Sequence, residues 1–401
     1  MPRHTILCLS SYFKGNRFLK RCHADGCHVI LFTVESRLQE AWAREYCHEV
    51  FALPSFDDRA AVVRTLAYLM RSRPIDRLAA LDDLDVELVA FLREHFRIAG
   101  MGETTARYFR DKLAMRAKAR SAGIVAPPFV ALVNDDEVRC FLETVPAPWL
   151  MKPRSQASSI GINTYHHPDE VWRRLEELGD DRSHHLLERK LPGGELFHVD
   201  SLVVDRAVVF AEVGKYHTPL LDVYQGGGVF ATRTLPRQQP EVAALRQANE
   251  QVLTHFGLRH GCSHTEFLRS SEDGRFYFIE TSARVGGANI ADMVEAATGV
   301  NLWEEWATIE VNGDDPDATY TLPPTREEYG GVIVSLARQE RPDTSAFTEP
   351  EIVYRPDHKH HVGFVVRSPS PERVVQLLDE YRERILRDYH TALPPADKAF
   401  A

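Results

Sequence analysis

Long apolar runs are missing from this sequence, and with them any membrane-spanning helix is excluded. No stretch approaches the ~20 apolar residues that cross a bilayer. The opening Thr5–Ser10 run is too short for a secretion signal and reads as a first buried strand, so a cytoplasmic location is expected. Cysteine is sparse: Cys8, Cys22, Cys27, Cys47, Cys140 and Cys262 are scattered without a Cys-x-x-Cys pair. That argues against a zinc ribbon and against a disulfide framework. Cys22-His23 and Cys27-His28 have no second pair to complete four ligands. Positive charge is also short. With 48 basic against 58 acidic side chains the net charge is −10, and no basic tract carries interleaved aromatics. A nucleic-acid partner is therefore not expected. The strand-to-helix loop Ser10–Asn16 holds a single glycine, which excludes a dinucleotide fingerprint. Repeats and low-complexity tracts are absent.

What remains is a chain of 401 residues, 44% hydrophobic, with material for more than one core. Its first hundred residues alternate short apolar strands (Thr5–Ser10, His28–Val34, Val50–Leu53, Leu78–Leu81) with helices (Asn16–Ala24, Asp57–Arg73, Asp85–Phe96). This alternation predicts an open parallel sheet covered on both faces. A long helix is expected over Glu103–Ala122, stopped by Gly123. Strands are expected at Phe129–Val133, Trp149–Lys152, Leu186–Arg189, Phe197–Val204 and Ala207–Val213, with a helix at Asp135–Val145. His217–Arg237 reads as a long irregular segment. Helix Pro240–Phe256 then precedes a hairpin over Cys262–Ser282, and helix Ile290–Ala297 follows it. The tail from Gly330 offers two or three strands and one helix, Pro371–Tyr389.

The hairpin carries the sharpest chemical signal. Asp273-Gly274 between two strand-like runs marks a tight turn. A turn centred on Asp273 sets Glu266 opposite Glu280, His264 opposite Ser282 and Leu268 opposite Phe278. Opposed carboxylates on one face repel. A divalent cation between them relieves the repulsion, and Mg2+ favours a few carboxylates together with phosphate oxygens and water. A slipped register would instead send both glutamates to solvent.

Five segments in order resemble the ATP-grasp superfamily, over about residues 104–300. Asp111–Arg116 with Ala122-Gly123-Ile124 resembles its first lysine helix. Trp149–Pro153 resembles its second lysine strand. Leu187–Glu195 resembles the adenosine hinge, and His264–Phe267 with Ile279–Arg284 resembles the magnesium strands. The resemblance implies an N-terminal Rossmann-like α/β domain at 1–103 and a two-lobed ATP-grasp module at 104–320. The lobes would cover about 104–190 and 191–320, with a small α+β domain at 321–401.

It also implies roles. Lys112 and Lys152 would neutralise phosphate, and Ser158 and Ser159 would cover it from a loop poorer in glycine than the family's. Glu188, Arg189 and Leu191 would take the adenine edge, and Glu195 the ribose. Glu266, Glu280 and Ser282 would hold Mg2+, or Mn2+ in its place; the serine stands where relatives usually carry asparagine. Arg284, Gly286 and Gly287 would receive an acyl-phosphate or substrate carboxylate at a helix entrance. Asp222, Tyr224 and Arg233 would help select substrate.

The implied activity is ATP-dependent ligation of a small-molecule carboxylate to an amine, both possible from amino acids, through an acyl-phosphate with release of ADP. A homodimer fits the same resemblance. Rival readings are a bicarbonate-activating carboxylase, a purine-pathway ligase, a peptide-modifying ligase, and a regulator that binds ATP without turnover.

Overall fold

The computed structural model describes residues 3–392 apart from 157–159, 219, 221–222, 224–226, 314 and 316–317. The N-terminal third is a parallel sheet of order β3-β2-β1-β4: β1 (Thr5–Ser10), β2 (His28–Val34), β3 (Glu49–Leu53) and β4 (Arg77–Ala80). Every residue of β1 is buried, as expected for a strand covered on both faces. Helices α1 (Asn16–Ala24), α2 (Arg59–Met70) and α3 (Val86–Phe96) supply the cover. Asp58 starts α2 by accepting the Ala61 N–H.

The helix expected over 103–122 is broken. α4 (Glu103–Ala106) and a 3-10 turn (Arg107–Phe109) precede a fresh start at α5 (Lys112–Ser121). Asp111 causes the break: its side chain accepts from the Leu113 and Ala114 N–H groups, which makes it the cap of a new helix. Lys112 therefore stands at the first position of α5, where it is buried.

A small antiparallel sheet of order β5-β8-β6-β7 follows: β5 (Phe129–Ala131), β6 (Trp149–Pro153), β7 (Asn163–Tyr165) and β8 (His185–Arg189). Helices α6 (Asp135–Thr144) and α7 (Pro168–Leu178) accompany it.

The large sheet has eight strands in the order β13-β12-β9-β10-β11-β14-β16-β15. They are β9 (Gly194–Val204), β10 (Ala207–Tyr216), β11 (Phe230–Thr234), β12 (Gly261–Ser270), β13 (Phe276–Ser282), β14 (Tyr329–Leu336), β15 (Ile352–Tyr354) and β16 (His361–Ser368). β11 lies inside the segment expected to be irregular, because the three glycines before it hide a five-residue strand. The tail strands β14–β16 extend this same sheet through β11, so the described part of the tail shares a sheet with the preceding lobe. They keep a core of their own, with Phe347, Phe364, Leu377 and Tyr381 packed beneath helix Pro371–Asp388.

Three more helices pack on the large sheet's lobe: α8 (Pro240–Phe256), α9 (Ile290–Thr298) and α10 (Leu302–Asn312); the tail helix is α11. α10 was not anticipated, although Asn301 caps it by accepting from Trp303 and Glu304. Strand alternation divides the sheet's faces. Phe197, Val199, Val213 and Phe267 join the α8 core, whereas Leu202 and Cys262 join α9, α10 and the N-terminal sheet. Among the described residues, no helix is long and apolar enough to cross a membrane.

Candidate active site

Glu266 does pair with Glu280, and His264 with Ser282. The route to that register differs from expectation. Near the turn Leu268 pairs with Tyr277 and Phe267 with Phe278, one residue off, and an irregularity beyond Phe267 restores the outer register. The extra residue is Ile279. Without it Phe278 and Glu280 would share a face. With it, Phe278 enters the α8 core while Glu280 turns to the other side, opposite Glu266. The bulged residue's carbonyl accepts from Arg116 Nη1 at 2.6 Å.

The two carboxylates are held differently. Glu280 pairs with Lys112 Nζ at 3.1 Å, and the same ammonium donates to the Gln156 carbonyl at 2.7 Å. Burial alone would raise the Glu280 carboxyl, but Lys112 outweighs it and keeps the group below its ordinary value, ionised at neutral pH. Among the described residues Glu266 meets no lysine; it accepts from the Tyr216 hydroxyl at 2.8 Å. Two opposed carboxylates and the Ser282 hydroxyl make an all-oxygen donor set, which fits a hard divalent cation such as Mg2+.

On the small-lobe side, Lys152 ends a buried strand and ion-pairs with Glu188. Arg116 grips the same carboxylate through Nε at 3.0 Å. Glu188 is 1% exposed and committed to these two cations. The expected contact of its side chain with an adenine edge is therefore not what this arrangement offers, because both oxygens are already engaged. Leu191 is buried beside it in the hinge. The Arg189 side chain turns away to Glu272 of the hairpin, at 2.9 Å. Glu195 lies at the start of β9, paired with Lys215 and 3.8 Å from Arg269.

The N-terminal domain reaches the same cleft through Asp83, in the turn after β4. Its carboxylate pairs with Arg110 and lies 3.7 Å from Arg284 Nε, with Ser282 nearby. Burial opposes ionisation, yet Arg110, Arg284, Ser282 and Lys112 together lower its pKa to about 2. Arg284 also donates to the Val285 carbonyl at 2.9 Å. Gly286 lies against the sheet: a Cβ there would come within 2.8 Å of Asp200 Oδ1. Gly287 is open, and the chain enters α9 through left-handed Ala288 and Asn289.

Arg233 is not brought to the carboxylates. It pairs across the sheet with Lys215, which in turn opposes Phe197, so alternation sets it on the α8 side. Its neighbours Thr232 and Thr234 take the Glu266 face instead. Ser158, Ser159, Asp222 and Tyr224 lie outside the described residues.

Several site groups were not picked out from the sequence. Asp83 follows the carboxyl end of a parallel strand, where open α/β sheets hold ligands, and that placement was its available signal. Arg116 shares the buried stripe of α5 with Lys112, Met115 and Ala119. His198, Asp200 and Tyr216 carried no local signal, since they meet only through strand pairing. Asp200 is enclosed by two imidazoles: His198 Nδ1 at 2.6 Å and His264 Nδ1 at 2.9 Å. Burial would raise its carboxyl, but His264 and His198 hold it below the usual range. Burial likewise disfavours charge on His264, but Asp200 and Glu266 raise its pKa to about 9.

No protein-family model matches the chain. It is 25% identical over 287 residues to the L-arginine-specific L-amino acid ligase of Bacillus subtilis, covering 69% of this chain and 68% of that one. A D-alanine–D-alanine ligase of Prosthecochloris aestuarii is 26% identical over 217 residues, 51% of this chain and 59% of its own length. The fold matches the crystal structure of an L-amino acid ligase from Bacillus licheniformis with a TM-score of 0.72 and 16% identity, over 98% of this chain and 100% of that one. With the ordered motifs and the cleft between its two sheets, these likenesses support an ATP-grasp ligase of the carboxylate–amine class.

Proposed function

We propose that the protein joins an amino-acid carboxylate to the amine of a second amino acid, through an acyl-phosphate, releasing ADP and phosphate. The observation that carries this reading is the convergence on one cleft of Glu266, Glu280, Lys112, Lys152 and Arg284, drawn from both lobes. Glu266 and Glu280, with Ser282, would hold Mg2+, which supplies charge neutralisation at the terminal phosphates when bound. Lys112 and Lys152 each stand against a carboxylate and can exchange that partner for phosphate oxygens. Until then Glu188 holds Lys152 in the cleft, and Arg116 fixes Glu188. Leu191 and the hinge backbone would take the adenine, and Glu195 the ribose.

Arg284 and the entrance to α9 would bind the acyl-phosphate while the amine enters. A planar guanidinium presents two parallel donors to such an anion. None of these residues has to act as a covalent nucleophile. Positioning and electrostatic stabilisation are sufficient for phosphoryl transfer. Support for amino acids as substrates comes from the relatives, an L-arginine-specific L-amino acid ligase and a D-alanine–D-alanine ligase.

A phosphate-release screen over pairs of amino acids tests the reading, with nucleotide products resolved by chromatography. A productive pair should yield ADP, and Glu266→Gln or Glu280→Gln should lower its turnover by at least about a hundredfold, in keeping with loss of a directly stabilising group. Stoichiometric AMP would overturn the mechanism. ADP formed with bicarbonate and no amine would point to the carboxylase reading.

A further inference from the structure

Behind Glu266 runs a chain of hydrogen bonds that crosses four strands of the large sheet. Thr232 Oγ1 on β11 meets His198 Nε2 on β9 at 2.8 Å. His198 Nδ1 meets Asp200 Oδ2 at 2.6 Å, and Asp200 Oδ1 meets His264 Nδ1 on β12 at 2.9 Å. His264 Nε2 lies 3.2 Å from the Tyr216 hydroxyl on β10, which donates to Glu266 Oε1 at 2.8 Å. Pairing explains how they meet: His264 opposes Asp200, Glu266 opposes His198, and Tyr216 opposes Thr232. His198, Asp200 and Thr232 are fully buried.

The ring nitrogens and carboxylate of His198, Asp200 and His264 lie close enough together to suggest a metal site of their own. Their orientation argues otherwise. Both Nδ1 atoms are turned onto Asp200. The backbone also crowds the group from two sides, since a Cβ on Gly214 would lie 2.2 Å from His198 Nε2 and one on Gly286 3.0 Å from His264 Nδ1. The donors are spent on one another.

We propose that this chain is a positioning device for Glu266, with Tyr216 as the residue that acts on it directly. The inference rests on the reading of Glu266 as a cation ligand. The tyrosine holds Oε1, while Oε2 makes no hydrogen bond among the described residues. Glu280 has no such support; its partner is a lysine that must give way to phosphate. One carboxylate is thus fixed in advance and the other is released on binding. A buried, fully satisfied polar network is rigid, and a pre-oriented ligand binds its cation with less loss of freedom. Removing the partner that orients a metal ligand typically costs 10–100-fold in metal affinity.

The test uses Mn2+ as probe, titrated into the full-length protein with ADP and followed by water-proton relaxation. Tyr216→Phe should weaken Mn2+ binding by about tenfold or more, with ADP affinity in the absence of metal unchanged. Thr232→Val, at the far end of the chain, should weaken it in the same direction by a smaller factor, and serves if Tyr216→Phe does not fold. Unchanged Mn2+ affinity in Tyr216→Phe, or in Thr232→Val should that be the variant that folds, would overturn the proposal, provided that Glu266→Gln loses the ion. Should Glu266→Gln bind Mn2+ like the parent, the cation assignment fails first. Stoichiometric transition metal in the purified protein, lost in Asp200→Asn, would overturn the positioning role in favour of a second metal site.

Discussion

The two ends of the turn after β4 bury carboxylates in regions of opposite character. Asp83 faces the cleft, among Arg110, Arg284, Lys112 and Ser282, and its pKa falls to about 2. Asp85, two residues on, faces the loop after β1, where the Ser11 N–H donates to it at 2.8 Å. There burial dominates, the Asp82 charge adds to it, and the pKa rises to about 7. The two side chains have the same chemistry and nearly the same burial. What differs is whether cations from other parts of the chain converge on them. A charge buried with partners serves a site, whereas one buried beside a like charge weakens the fold as the pH rises.

Three changes would break or sharpen that contrast. The largest effect is expected from Asp83→Ala, which leaves Arg110 and Arg284 in the cleft without their carboxylate. Breaking a buried pair from one side costs about 3–5 kcal/mol, so urea unfolding should show a loss of that order, and ligase turnover should fall with it. A variant as stable as the parent would mean that the arginines find other partners.

Asp85→Asn should act in the opposite direction. The folded-state pKa of Asp85 is raised above its unfolded value, so its contribution is most favourable below about pH 4. It declines as pH rises from there to about 7, because the unfolded chain gives up the proton while burial keeps it on the folded protein. Asn keeps an acceptor for Ser11 and has no charge. The variant should gain on the order of 2–4 kcal/mol over the parent at pH 8 and little at pH 4. Equal pH dependence in the two proteins would remove Asp85 as the source.

The smallest effect is expected from Lys14→Ala. Lys14 pairs with Asp82 and is partly exposed, so the pair is worth less than about 1 kcal/mol. Losing it should move the Asp85 transition upward by under about one pH unit, measured by repeating the urea titrations across pH.

Much of the site was legible in advance where the chemistry is local. A turn centred on Asp273 pointed to Glu266 opposite Glu280, a pairing that the fold reaches only through an extra residue in β13. Lys152 stood out because a charge ending an apolar strand needs a partner. The bulge at Ile279 was not legible, since it answers to Phe278 entering a core built by α8. Nor was the cap at Asp111, whose residues read equally well as an uninterrupted helix. Arg233 could not be given a face because β11 itself went unseen, and without a strand there is no alternation to assign one.

The sequence by itself determined the order of the motifs, the alternating first domain and the hairpin turn at Asp273-Gly274. These follow from backbone period and turn chemistry, which act over a few residues. Which charges neutralise one another was decided by the tertiary structure alone. Glu188 meets Arg116 from 72 positions away, and His264 meets Asp200 from 64. Such partners are set by strand order and by the packing of one domain on another, and the Coulomb energy that holds Asp83 as an anion, where Asp85 keeps its proton to about pH 7, depends on distance in space.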